Sequence, residues 1–315
     1  MAEPSSDPRT HHIPCNYCGS DAYILVYPAT RAQFASEEEW LAYRCTSPSY
    51  GVHGQIVRCN SCGLIYTNPR REQARLIENY ATVEDPLYVE ESEGRRLTFR
   101  HHLRHLERFS GVGAGRRLLD VGAYIGVFVE VANEAGWDAW GLEPSTWAAR
   151  WACERGLQVI EGALPGAENE LEPASFSAVT MWDVIEHVPD PMGVFEATYT
   201  LLEPGGWIAV HTMDVDSLLA RLMRRRWPWL MEMHIYYFSR RTLRMMLEKA
   251  GFEVVSLKPE GRYLRLKYLI TRLEPYSPFV AQLVERAARL LGILNVAVPI
   301  NFGDLVTAYA RKPTG

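Results

Sequence analysis

A chain of 315 residues, 47% hydrophobic and 23% charged, has the composition of a folded globular protein with room for one large core, or for one core and a small appendage. Its formal net charge of −5 argues against a polyanionic partner, because nucleic-acid-binding proteins usually carry a basic surplus. The start of the chain lacks the apolar core of a secretory signal, and no stretch approaches the roughly 20 apolar residues that span a bilayer. We therefore expect a cytoplasmic protein without a transmembrane segment, whose six cysteines are reduced and whose partner is not nucleic acid.

The N-terminal third of the chain divides into three predicted parts. Residues 1–12 are polar and proline-bearing, which is typical of a disordered tail. Residues 13–72 carry paired cysteines, turn residues and short apolar runs, which indicates a module of short strands around a metal, with an insert between them. Residues 73–110 show a helical pattern of apolar and charged residues, which we interpret as a helical linker or lid.

Residues 111–315 alternate apolar strands with helices. This alternation predicts a parallel sheet covered by helices on both faces. The predicted fold class is therefore α/β: a Rossmann-like, seven-stranded, mostly parallel sheet with helices on both faces, preceded by a small N-terminal zinc ribbon. Inserts are expected at about residues 214–235 and 262–298.

The loop after the first predicted strand is glycine-rich and opens the first helix. Asp120, Gly122 and Gly126 stand in this loop, where glycines let the backbone turn tightly and approach a ligand closely. Taken alone, such a loop could equally serve a dinucleotide or be a tight turn. Glu143 ends the second strand about 20 residues on, where a carboxylate can accept hydrogen bonds from both hydroxyls of a ribose.

Four segments, DVGAYIG, GLEPS, WDVIEHVPDP and LEPGG, together resemble the motifs of class I S-adenosylmethionine-dependent methyltransferases, in the small-molecule, ubiquinone-type branch. The resemblance extends over about residues 73–313 and implies S-adenosylmethionine (SAM) as the cofactor. It implies that the loop glycines shape the pocket for the methionine part, that Glu143 holds the ribose and that Ala163 and Leu164 flank the adenine. Tyr124 replaces the usual middle glycine, so its ring is expected to cover the cofactor or narrow the pocket. The full predicted set of cofactor residues is Asp120, Gly122, Tyr124, Gly126, Glu143, Pro144, Ala163, Leu164, Trp182 and Asp183.

Methyl transfer to a hydroxyl or carbon acid requires a base that removes a proton, and histidine suits this role near neutral pH. Three candidates stand at or beyond strand ends: His187, His211 and His234. The resemblance implies that His187 lies near the sulfonium and that the segment containing His234 borders the acceptor pocket. Asp183, Glu186 and His187 also resemble the divalent-metal site of ubiquinone-pathway O-methyltransferases, so Mg²⁺ at these residues is a further alternative.

Cys15, Cys18, Cys59 and Cys62 form two C-x-x-C-G knuckles. Their spacing lets four thiolates surround one tetrahedral ion, which predicts a structural Zn²⁺, with chance thiol clusters or a redox dithiol as alternatives. His53 could replace one of the cysteines as a ligand, but the sequence favours the four cysteines.

The sequence indicates structural roles for the other cysteines and for three further histidines. We interpret Cys45 and Cys153 as small packing residues. His101, His102 and His105 lie in a predicted helix, and we interpret them as part of a solvated helix face, with a metal clip as the alternative.

The functional hypothesis is methyl transfer to a small-molecule acceptor, by in-line displacement with a histidine base. The favoured reaction is O-methylation of a sugar, glycolipid or secondary metabolite in natural product biosynthesis, with the mixed apolar and basic segment 218–230 as a lid. That segment also leaves open a lipid-linked acceptor held at a membrane surface. Two alternatives remain: an RNA base methyltransferase that holds RNA with the zinc ribbon, and a non-catalytic adaptor with a zinc docking module.

Overall fold

The computed structural model of the protein describes residues 10–30, 50–71, 86–273 and 277–314. Several predictions therefore lie outside the described residues: residues 1–9 of the predicted tail, Cys45 with most of the insert between the cysteine knuckles, and the first part of the predicted helical linker.

The described chain contains fifteen strands and nine α-helices. The strands are β1 (Thr10–His11), β2 (Tyr23–Tyr27), β3 (Ile56–Cys59), β4 (Ile65–Thr67), β5 (Arg70–Arg71), β6 (Arg117–Val121), β7 (Asp138–Glu143), β8 (Gln158–Glu161), β9 (Phe176–Trp182), β10 (Leu202–Met213), β11 (Tyr236–Tyr237), β12 (Glu253–Pro259), β13 (Arg262–Arg265), β14 (Ala297–Ile300) and β15 (Leu305–Arg311). The helices are α1 (Pro86–Glu90), α2 (Ser92–Ser110), α3 (Val127–Glu134), α4 (Thr146–Glu154), α5 (Pro191–Leu201), α6 (Leu218–Met223), α7 (Arg240–Lys249), α8 (Leu266–Leu273) and α9 (Pro278–Leu290).

The main sheet has seven strands in the order β12-β15-β10-β9-β6-β7-β8. The strands from β10 to β8 run parallel, whereas β15 is antiparallel to both of its neighbours, β10 and β12. All seven residues of the central strand β9 are buried, because helices cover both faces of the sheet. The predicted Rossmann-like, mostly parallel fold is confirmed.

A second sheet has four strands in the order β11-β4-β3-β2. Three of its strands come from the cysteine-rich region, but β11 comes from the chain between β10 and α7, where Tyr236 pairs with Tyr66 and Tyr237 with Ile65. All four of these side chains are buried. The N-terminal region is thus joined to the larger part of the chain by a shared sheet, which the sequence patterns did not predict.

Helix α2 packs against α3 and against β13. Strand β13 pairs with β14 in a separate two-stranded sheet, and α8 and α9 lie between these two strands in the chain. Helix α2 contacts both β13 of this insert and β10 of the main sheet. Within the described ranges, none of the helices has both the length and the apolar character that crossing a bilayer requires.

Candidate functional site

A cavity of about 610 Å³ lies at the carboxyl ends of the parallel strands. This edge is where ligands bind in open α/β sheets. Eight predicted cofactor residues and all three candidate histidines line this single cavity: Gly122, Tyr124, Glu143, Pro144, Ala163, Leu164, Trp182, Asp183, His187, His211 and His234.

The two other predicted cofactor residues, Asp120 and Gly126, stand at the two ends of the loop between β6 and α3. Asp120 is buried at the end of β6 and accepts a hydrogen bond of 2.7 Å from Thr180 Oγ1, and its burial raises the pKa of the carboxyl to about 8. Gly126 precedes α3 with a φ of +76°, and Gly122 has a φ of +73°. A Cβ on Gly122 would lie 2.5 Å from Val184 Cγ2, so the close approach of this loop to the chain after β9 requires glycine.

Glu143 is fixed at the end of β7 by backbone amides. Its Oε2 accepts from the amide of Tyr124 and its Oε1 from the amide of Ser145, each at 2.8 Å. Burial raises the pKa of Glu143 to about 7, although both amide bonds act in the opposite direction. Tyr124 has a φ of +48° and packs edge-on against Tyr88 at 4.5 Å, so its ring forms part of the cavity wall.

His187 and His234 face one another, with ring centroids 4.7 Å apart. His187 Nδ1 lies 2.9 Å from the carbonyl oxygen of Met233, and His234 Nδ1 lies 2.7 Å from that of Trp229. A carbonyl oxygen can only accept, so Nδ1 carries the proton and Nε2 the lone pair. Burial lowers the pKa of His187 to about 4 and that of His234 well below its usual value, so both rings are neutral at physiological pH.

Asp183 and His211 form a different arrangement, centred on Arg262. Arg262 Nη2 donates to Asp183 Oδ1 at 2.9 Å and lies 3.5 Å from His211 Nε2. Burial would raise the pKa of Asp183, but the charge of Arg262 outweighs it and holds this pKa at about 2. His211 is buried, with Nδ1 2.8 Å from Thr307 Oγ1, so both of its ring nitrogens face protein groups.

Glu186 forms a potential set of metal ligands with His187 and His234, and not with Asp183. One ligand atom each from Glu186, His187 and His234 lies within 4.8 Å of the others. Thr212 Oγ1 donates to Glu186 Oε2 at 2.9 Å, while burial and the charge of Asp183 raise the pKa of Glu186 to about 8. The predicted trio of Asp183, Glu186 and His187 is therefore not the group that the structure assembles.

The sulfur atoms of the four predicted metal-ligand cysteines lie within 4.8 Å of one another, beside the second sheet. Cys15 Sγ lies 3.5 Å from Cys62 Sγ, and Cys18 Sγ lies 3.5 Å from Cys59 Sγ. With Zn–S bonds of about 2.3 Å, the edge of a tetrahedron is about 3.8 Å, so the cluster is compatible with a zinc ribbon. His53 is not part of this group; its Nδ1 lies 2.8 Å from the carbonyl oxygen of Gly54.

Residues 94–257, which are more than half of the chain, match the family described as "Methyltransferase domain". The chain belongs to this family, and its sheet is that of the class I SAM-dependent methyltransferases.

The methyltransferase domain is similar to curated relatives described as "Ubiquinone biosynthesis O-methyltransferase". The relative from Bordetella avium is 34% identical over 117 residues, which are 36% of this chain and 48% of the relative. The relative from Bordetella bronchiseptica is 30% identical over 145 residues, which are 44% of this chain and 60% of the relative. The chain thus spans about half the length of the curated relatives it matches.

Two solved structures share the fold. A SAM-dependent methyltransferase from Archaeoglobus fulgidus superposes with a TM-score of 0.50 at 20% identity, covering 72% of this chain and 100% of that structure. A protein from Thermotoga maritima described as a possible histamine N-methyltransferase superposes with a TM-score of 0.50 at 22% identity, covering 76% of this chain and 100% of that structure.

The sequence patterns missed Arg262 and misplaced His102 and Cys153. Arg262 lies in no recognisable motif, yet it forms the ion pair with Asp183. The interpretation of His102 as part of a solvated face is wrong: the side chain is buried, and its ring stacks on Trp182 at 4.7 Å. Cys153, interpreted as a packing residue, is instead exposed on α4, with Sγ 3.2 Å from the carbonyl oxygen of Val159.

Proposed function

We propose that the methyltransferase domain transfers a methyl group from SAM to a hydroxyl of a small amphipathic acceptor, with His187 as the base. The observation that carries this proposal is the joint placement of two sets of residues. The neutral histidine pair borders the same cavity as the loop at Gly122 and the carboxylate of Glu143.

The residues at the strand ends fit SAM. Glu143 uses each carboxylate oxygen for one amide and retains further lone pairs that can accept from two ribose hydroxyls. Among the described residues, the buried Trp182 Nε1 has no hydrogen-bond partner, which is the expected state of a donor that a ligand satisfies. When bound, SAM supplies an activated methyl group on its sulfonium.

The lining of the cavity is largely apolar, and Met231, Met233, Leu269 and Phe302 contribute to it. Such a wall favours an acceptor with a substantial apolar or aromatic part, such as a glycolipid or an aromatic secondary metabolite, over a free sugar. The printed names of the relatives, as O-methyltransferases, support a hydroxyl as the attacking group.

His187 is suited to remove the hydroxyl proton. Its Nδ1 proton is donated to the carbonyl of Met233, so Nε2 is the basic nitrogen of the ring in this tautomer. His234 and Glu186 lie beside it, and Glu186, protonated at neutral pH because its pKa is about 8, places no negative charge against the incoming hydroxyl. The domain otherwise acts by alignment, because methyl transfer requires the attacking oxygen in line with the leaving sulfur.

The cysteine cluster is proposed to hold a structural Zn²⁺ through Cys15, Cys18, Cys59 and Cys62. Four thiolates complete a tetrahedral shell and leave no open position for a substrate. The ion would fix the turn that contains Asn16. Asn16 Nδ2 donates to Asp190 Oδ1 at 2.7 Å, and its Oδ1 accepts from the amide of Met192 at 2.9 Å, so this turn contacts the chain directly after His187.

Transfer of a labelled methyl group from SAM into a fractionated extract of the host tests the proposal. Small polar metabolites, aromatic metabolites, lipid-soluble material, RNA and protein are separated after incubation with wild-type chain or with His187→Ala. We expect label in the lipid-soluble or aromatic metabolite fraction, and a strong decrease with the variant. Label confined to RNA would support the alternative of an RNA base methyltransferase and contradict a small amphipathic acceptor.

A further inference from the structure

A second group of potential metal ligands lies outside the lining of the cavity. His101 and His105 stand one turn apart on α2, and Glu260 directly follows β12. One ligand atom of each of these three residues lies within 4.8 Å of the other two. None of the three lines the SAM cavity, so the group is separate from the proposed methyl-transfer site.

The geometry of the group is close to that of a metal shell. His101 Nε2 lies 3.7 Å from Glu260 Oε1, and His105 Nδ1 contacts the same oxygen. The centroids of the two imidazoles are 4.3 Å apart. In a tetrahedral site with bonds of about 2.0–2.2 Å, ligand atoms lie about 3.3–3.6 Å apart, so small side-chain rotations suffice to place all three around one ion.

Glu260 is held in the way that metal-binding carboxylates are held. Its Oε2 accepts a hydrogen bond of 2.8 Å from the hydroxyl of Tyr309, which leaves Oε1 directed at the imidazoles. The side chain of Glu260 is 1% exposed, whereas those of His101 and His105 are 32% and 16% exposed. The group is therefore anchored on its buried side and open to solvent on the other, where an ion can enter and a water can complete the shell.

We propose that His101, His105 and Glu260 form a binding site for Zn²⁺, distinct from the cysteine cluster. Two imidazole nitrogens and one carboxylate oxygen suit zinc, whereas Mg²⁺ and Ca²⁺ prefer oxygen ligands throughout. The ion would join α2 to the chain that directly follows β12. His102, between the two ligand histidines, stacks on Trp182, and Arg262, two residues after Glu260, pairs with Asp183.

Cobalt binding to the zinc-loaded chain tests this site without reference to activity. Co²⁺ is titrated into wild-type protein whose cysteine cluster already holds zinc. We expect one further ion per chain, with the visible absorption of nitrogen and oxygen ligation and without a thiolate-to-metal charge-transfer band. His101→Ala and His105→Ala should weaken this binding by more than about 100-fold, the upper range for loss of a merely supporting contact.

Two control variants and one conservative variant make the assignment specific. Arg104→Ala changes an exposed residue of the same helix and should retain the ion. His234→Ala removes a member of the other histidine-containing group and should retain it as well. Glu260→Gln preserves the volume of the side chain and should weaken binding if the folded content measured by circular dichroism is unchanged. Retention of the additional ion by His101→Ala and His105→Ala, or no additional ion in the folded wild type, would overturn the proposal.

Discussion

Glu143 is buried, receives two backbone amides and has a pKa of about 7, which places its ionisation within the physiological range. The free protein holds this carboxyl largely protonated below pH 7, because burial disfavours its charge. A ribose that donates two hydrogen bonds favours the ionised form. If Glu143 holds the ribose as proposed, SAM binding and deprotonation of Glu143 are coupled.

This coupling predicts that the affinity for SAM rises with pH. With a pKa of about 7 in the free protein, the ionised fraction of Glu143 increases about tenfold between pH 6 and pH 8, and affinity should increase in proportion. Calorimetric titrations across this range measure the dependence. A dependence that remains fully intact in Glu143→Gln would assign it to another group.

His187 is predicted to affect turnover and not cofactor binding. Loss of a general base typically costs about 10²–10⁴-fold in rate, so His187→Ala should lower kcat by that factor while the Kd for SAM stays nearly constant. The exposed His12 provides a control, since His12→Ala should retain wild-type kcat. Because the pKa of His187 is about 4, the rate should not fall between pH 8 and pH 6 through protonation of this ring.

The segment 218–230, our proposed lid, forms part of the cavity wall. Leu219, Met223 and Trp229 contribute to the lining, and Asp304, which also lines the cavity, contacts the segment. Asp304 Oδ2 accepts from Trp227 Nε1 at 3.1 Å and from Trp229 Nε1 at 2.9 Å. The proposed lid therefore depends on one carboxylate that precedes β15.

Replacement of Asp304 should loosen this lid. Asp304→Asn removes the charge that strengthens two hydrogen bonds, each worth about 1.5–3 kcal/mol when its acceptor is ionised. We expect a higher KM for the acceptor, an unchanged Kd for SAM and faster tryptic cleavage in the exposed run 224–226. Asp216→Asn, in an exposed loop before α6, is the matched control, and equal cleavage rates in the two variants would contradict the role given to Asp304.

The cysteine-rich region and the methyltransferase domain are joined by a common sheet and by side-chain hydrogen bonds. Strand β11 completes the second sheet directly after His234, and Asn16, inside the first cysteine knuckle, contacts Asp190 near His187. The two histidines of the proposed site are thus each a few residues from a contact with the N-terminal region. Loss of the proposed zinc from the cysteine cluster should displace the two histidines through these contacts.

Cys59→Ser tests this connection. We expect loss of the bound zinc, a lower Tm and a kcat reduced by up to about 10²-fold, since a displacement of about 1 Å of a catalytic group can have an effect of that size. Cys153→Ser, which changes an exposed cysteine outside the cluster, should bind zinc and turn over as wild type does. A zinc-free Cys59→Ser with normal kcat would show that the two regions are functionally independent.

The main sheet was predictable because its signals are local. A strand that ends in Asp120 and a glycine-rich loop, or a helix that stops at Gly156, can be recognised within about ten residues, and the strand–helix alternation then indicates the fold. The cysteine pairs were predictable for the same reason, since a two-residue spacing carries the chemistry of the site.

The contacts that cross the fold were not predictable. Three residues bind side chains that are distant in sequence, and no motif surrounds them in the sequence: Arg262, Glu260 and Asp304. The two-residue strand β11 is too short to show any periodicity. His102 was misinterpreted because a helical histidine next to charged residues suggests a solvent-exposed face, whereas the partner that buries it, Trp182, lies 80 residues away at the end of β9.

A calorimetric titration of SAM into the zinc-loaded chain, and into the variants Glu143→Gln and Glu161→Gln, tests whether this cavity binds the cofactor. Glu161 ends the neighbouring strand β8, is exposed and does not line the cavity. We predict one SAM per chain, affinity reduced about 10–100-fold by Glu143→Gln, and no change with Glu161→Gln. No binding by the folded wild type at millimolar SAM, or equal affinities in both variants, would contradict the assignment of this cavity to the cofactor.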